Sequence, residues 1–140
     1  MIPVYSLLAF AAWTLSILVF TVGVYRWSQI IFRGHRVGGF SAEGLEGSPF
    51  YKRAMRAHAN ALETLPVFGA TVLAAQLLAI RTPWMDIFAV AVLVARVVHS
   101  LIHLGTVQTD RVVAVRFMFL SFQLVALVGM MVIIVRHALA

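Results

Sequence analysis

Arg56, Asn60 and Glu63 stand four and three residues apart. On a helix that spacing places them within about 60° of one another. Two opposite charges and an amide then form one stripe about two turns long. Lys52 and Arg53 precede it, adding more positive charge than a single carboxylate neutralises. A second set has the same character. Arg96, His99 and His103 share a helix face by their spacing, Arg111 follows, and Arg116 comes one and a half turns later. Guanidinium forks match carboxylates, and a carboxylate such as Glu63 takes an ammonium. The ligand implied is small and zwitterionic or polyanionic. Two blander readings compete with it. One is an Arg56–Glu63 ion pair with Asn60 bonding helix to helix. The other is a metal or haem held by His99 and His103. A third ligand for that site is not evident, since His35, His58 and His137 lie at loop or helix ends.

The elements that carry these residues are apolar throughout. Of 140 residues, 62% are hydrophobic and only 11% charged, and the mean hydropathy is +0.97. A soluble domain carries roughly twice that charge, so most of the surface is solvated by something other than water. Four stretches approach the ~20 residues of a membrane span: 4–32, 54–80, 85–104 and 112–135. The second and third are interrupted by charge. As a cleavable leader the first fits poorly: it lacks a basic start, is too long and has no small-residue cleavage site. Together the four use nearly the whole chain, which predicts one domain over residues 1–140. With no cysteine there is no disulfide, no protein thiolate and no cysteine metal site.

The net charge of +6 is distributed unevenly. Arg26, Arg33, Arg36, Lys52, Arg53 and Arg56 surround the first connection, and Arg111 and Arg116 follow the third. Only Arg81 and Arg136 lie at the other side. The positive-inside rule puts the basic loops in the cytoplasm and both termini across the membrane. Nucleic acid is not a predicted partner, because no soluble basic and aromatic platform exists to hold a strand. The connection over residues 34–49 is rich in glycine and serine and reads as a flexible loop, its Glu43 and Glu46 balancing nearby cations. The other connections are short, Arg81-Thr82-Pro83 and Gly105 to Asp110, which favours an all-α, up-down-up-down four-helix bundle. Tyr25, Trp27, Tyr51 and Trp84 fit the membrane interfaces.

The string RAHANALETLP, from Arg56 to Pro66, resembles the signature of the MAPEG family, the membrane-associated proteins in eicosanoid and glutathione metabolism. The four spans and the run Arg96, His99, His103 and Arg111 resemble it as well. The resemblance implies a homotrimer of four-helix bundles, with glutathione as co-substrate between neighbouring subunits near the cytosolic side, and no metal. It implies that Arg53, Arg56, Asn60 and Glu63 bind glutathione, that Arg96, His99 and His103 line the same pocket, and that Arg111 holds the thiol as thiolate. Arg33 and Arg36 correspond loosely to basic residues at the end of the first helix. Thr64, His99 and His103 stand where leukotriene synthase relatives carry tyrosine, so the likeness is closer to the microsomal glutathione transferases. The implied activity is conjugation of a thiolate to a lipophilic electrophile, or peroxide reduction. Two alternatives stay open: a non-catalytic homologue binding lipid or small anions, and the di-histidine metal or haem protein.

Overall fold

The computed structural model describes residues 1–40 and 47–139. Glu43 and Glu46, expected to balance local cations, lie outside the described residues. Among these, helices dominate and no strand occurs. Helix α1 spans Ile2–Ile17 and runs through a π-helical turn, Leu18–Gly23, into α2, Val24–Arg33. Then come α3 (Pro49–Leu77), α4 (Pro83–Gly105) and α5 (Asp110–Ala138). Three stretches, Ile2–Arg33, α4 and α5, are long and apolar enough to cross a membrane. Helix α3 matches α5 in length at 29 residues, yet its first half carries Lys52, Arg53, Arg56 and Glu63, which lower its hydropathy.

Local chemistry explains the boundaries. Ser48, Thr82 and Thr109 sit before α3, α4 and α5, and each hydroxyl accepts a backbone N–H of the first turn. Pro49 and Pro83 occupy first-turn positions where a missing N–H costs nothing. Gly34 ends α2 in the left-handed region at φ 65°, letting the chain reverse. The expected second stretch ended at Ile80, whereas α3 stops at Leu77, and the following turn bends through Ala79 at φ 52°. Pro66 lies inside α3 without ending it.

Helix α3 packs through small residues. Ala54, Ala57, Ala61 and Ala75 are buried, which lets neighbouring backbones approach without large side chains. Phe10 of α1 meets Phe68 of α3 at 5.8 Å between ring centroids, within a core that includes Val72, Met85, Val92 and Met130. Tyr25 of α2 stacks on Tyr51 of α3 at 4.4 Å, and Arg26 Nε donates to the Tyr51 hydroxyl at 2.8 Å. His58 Nδ1 lies 3.2 Å from the Thr14 carbonyl oxygen. These contacts set the depth of α3 against the first rod.

Helices α4 and α5 approach tightly at Gly129, where a Cβ would come within 2.8 Å of the Phe88 ring. Gly129→Val is therefore expected to destabilise the fold by about 1–3 kcal/mol, as overpacked cores do. A thermal midpoint in detergent reads this directly, and an unchanged midpoint would show that Phe88 yields freely.

Candidate functional site

One face of α3 decides the character of the site. Tyr51, Ala54, Ala57, Ala61 and Phe68 turn inward, while Arg56, Leu62, Glu63, Pro66 and Val67 are exposed on the single chain. The charged stripe thus keeps the common face that its spacing predicts, but that face lies at the edge of its own bundle, opening toward α4 and α5 on one side and exposed on the other. Arg56 donates to the Gln108 side chain at 3.3 Å, in the connection between α4 and α5, rather than to Glu63. Seven residues on one helix are separated by roughly 10 Å of rise, too far for an easy ion pair.

Asn60, Glu63 and Thr64 form one wall of a cleft of about 190 Å³. Arg96 and His99 of α4 form the second wall. The third, from α5, combines Arg116 with Val113, Phe117 and Leu120. The cleft therefore has cations on two sides, a carboxylate and an amide on the third, and an apolar strip along α5.

Arg96 is the unusual member, because it is fully buried at 0% exposure. Its Nη2 donates to the Thr64 hydroxyl at 2.6 Å, and its Nη1 lies 3.5 Å from His99 Nδ1. A guanidinium has no acceptor, so in that long contact His99 Nδ1 is the acceptor and the ring's proton belongs on Nε2. The guanidinium also sits 5.7 Å from the centre of the Phe10 ring, and its Nε has no partner. Ser100 and Gln123, also fully buried, leave their side-chain polar atoms unpartnered.

The other residues singled out by their spacing lie around this cleft. His103 is buried and meets His99 edge to face at 6.0 Å. Arg53 Nε donates to the Leu104 carbonyl at 3.1 Å, capping an orphan acceptor at the C-terminal end of α4. Arg111 is exposed in the first turn of α5, outside the lining of the cleft. A cation there opposes the helix dipole, so the helix itself gains nothing from it. No group of three histidine, aspartate, glutamate or cysteine residues able to hold a metal occurs among the described residues.

Spacing alone did not bring Thr64, Arg116 and Gln108 into the site. Arg116 had a signal, since it falls on one helix face with Val113 and Leu120. Thr64 had none beyond its place next to Glu63, and Gln108 lies in a connection that helix periodicity does not describe.

No curated protein and no solved structure matches the chain. The sequence model of the MAPEG family matches residues 4–136. With that match covering nearly its whole length and three helices long enough to cross a bilayer, the chain belongs to the MAPEG family and is a membrane protein.

Proposed function

We propose that this protein is a membrane-bound glutathione transferase or peroxidase that joins a thiolate to lipophilic electrophiles, closer to the microsomal transferases than to leukotriene synthase. The observation that carries the reading is the cleft itself, where buried Arg96 and half-buried Arg116 face Glu63 across a space lined on one side by apolar residues. Glutathione has two carboxylates, one ammonium and one thiol. Arg53, Arg56 and Arg96 answer the carboxylates, Glu63 the ammonium and Asn60 the peptide groups, with His99 and His103 completing the wall. The strip of Val113, Phe117 and Leu120 suits a greasy second substrate.

The working form is a homotrimer of up-down-up-down bundles in which all four rods cross the bilayer. The basic loops lie in the cytoplasm and both termini on the other side. The outward stripe on α3 supports the assembly. Exposed Arg56 and Glu63 on a membrane-embedded rod are costly against lipid, and a second copy covering that face removes the cost. Such an arrangement brings Arg111 of one copy toward the cleft of the next.

The chemistry then needs no protein nucleophile. A free thiol titrates near pH 8.5, so at neutral pH only a minority is the reactive thiolate. A fixed guanidinium beside the sulfur favours the ionised form. The thiolate forms the carbon–sulfur bond and the electrophile's leaving group departs with its electron pair.

The test mixes the purified oligomer with glutathione and a chloronitrobenzene, following thiolate absorbance and conjugate formation together. Both signals are expected. An intact oligomer that gives neither would remove the enzyme reading and leave a non-catalytic anion-binding homologue.

A further inference from the structure

The outward face of α2 and the π-helical turn before it has no role in the proposed chemistry, yet it is not featureless. A groove of about 500 Å³ runs along it, walled by Val19, Val24, Trp27, Ile31 and Phe32, with Gly23 as a notch between the rows. Gly23 stays open because the π-helical turn crowds it, a Cβ there lying 3.2 Å from the Leu18 carbonyl oxygen. The one hydroxyl in the wall, on Ser28, is already committed to the Tyr25 carbonyl at 2.7 Å, which leaves the indole N–H of Trp27 as the other polar group there. From residue 19 to residue 31 the row rises roughly 18 Å, close to the depth of one leaflet in a ~30 Å hydrocarbon core.

Just past its last lining residue, Phe32, the chain carries positive charge. Helix α2 closes on Arg33, the chain reverses at Gly34, and His35 and Arg36 follow, all exposed. Phe40 packs back against the His35 ring at 4.9 Å and under the Arg26 guanidinium at 5.3 Å, which holds this reversal beside the helix end. An apolar trough of leaflet depth that ends on two arginines matches one anionic phospholipid, its acyl chain in the groove and its phosphate between the guanidinium groups.

We propose that the groove from Val19 to Phe32, closed at its polar end by Arg33 and Arg36, is a binding site for one anionic phospholipid. A second copy of the chain is the less suitable occupant. The α3 face exposes Arg56 and Glu63 and needs protein to cover them, whereas this face is apolar and lipid covers it without cost. The inference is independent of the proposed catalysis.

Tryptophan fluorescence provides the test, because Trp27 lies in the groove wall. With Trp13→Phe and Trp84→Phe, Trp27 becomes the sole indole. The protein is placed in neutral phosphatidylcholine nanodiscs and given phosphatidylglycerol or phosphatidylcholine with brominated acyl chains. Phosphatidylglycerol is expected to quench Trp27 at a mole fraction on the order of tenfold lower, the effect of two arginines near a membrane surface. In Arg33→Gln/Arg36→Gln that preference should vanish. Equal quenching by both lipids, or a preference that survives the double substitution, overturns the site. Quenching by neither also overturns it, because another copy then covers the face. Native mass spectrometry of the unsubstituted chain gives a second readout, with retention of phosphatidylglycerol over phosphatidylcholine expected and equal retention contrary.

Discussion

Co-expressing an Arg111→Ala chain with a Glu63→Gln chain is expected to restore activity that neither variant has alone. Each substitution by itself should lower turnover by about 10²-fold or more, the cost of removing one preorganised charge from a reacting centre. Arg111→Ala should abolish thiolate absorbance while largely sparing glutathione binding, and Glu63→Gln should weaken binding. The reason to expect recovery is geometric. Glu63 lines the cleft of its own chain, but Arg111 is exposed at the start of α5 and outside that lining. In the proposed trimer, Arg111 reaches a sulfur in the cleft of a neighbouring copy. In random mixed oligomers, roughly a quarter of the interfaces then pair an intact Glu63 with an intact Arg111. If both residues served the same chain's site, no chain in the mixture would hold both and nothing would return. Purified mixed oligomers without recovery would move the thiolate role to Arg116, which lines the same chain's cleft. Arg56→Ala separates binding from chemistry in the same assay, since it should weaken glutathione affinity and leave thiolate formation at saturation.

How much of this was readable without coordinates depends on what periodicity can express. Three of the four rods were legible because apolar length is a property of the chain itself, whereas α3 is a helix whose charges keep it below that standard; the ends of all four moved by only a few residues. Capping hydroxyls at Ser48, Thr82 and Thr109 account for most of those shifts. The common face of Arg56, Asn60 and Glu63 was legible too. Its direction was not, because a helical wheel says which residues share a face and nothing about what covers it. The alanines at 54, 57 and 61 held the answer, since they allow α3 to pack closely only on their own side. The partnership of Arg96 with Thr64 was hidden for a related reason: it joins residues 32 apart on different helices. The π-helical turn at Leu18–Gly23 contains no proline, its Thr21 bonds back to the Ile17 carbonyl as in any helix, and it reads as ordinary apolar helix.

Arg96→Met is expected to leave the unliganded protein about as stable as before and to remove most of its stabilisation by glutathione. A buried cation in a membrane bundle is costly, and Arg96 has little to offset that cost. Its contacts are one short bond to Thr64, a long one to His99 and the face of the Phe10 ring at 5.7 Å from its centre, while Nε has no partner. Removing the guanidinium strands only the His99 Nδ1 acceptor, whose contact is already long at 3.5 Å. The Thr64 hydroxyl already reaches the Asn60 and Ala61 carbonyls, at 3.2 and 3.3 Å. Methionine preserves most of the length, and replacing buried charge by apolar volume is commonly neutral or stabilising. The ligand's carboxylate is what repays the buried charge. At a glutathione concentration about 100 times Kd, the native protein should gain roughly 2.7 kcal/mol, a rise of several degrees in thermal midpoint. The methionine variant should gain at most about a third of that, roughly 0.9 kcal/mol or less, because a lost charge-assisted bond weakens binding by roughly 30-fold or more. A variant that melts far below the parent without ligand would make Arg96 part of the scaffold. One that keeps the full shift would place the carboxylate elsewhere, with Arg116 the remaining guanidinium in the cleft. The expected pattern, equal stability with lost response, is what a cation held ready for an anionic ligand produces.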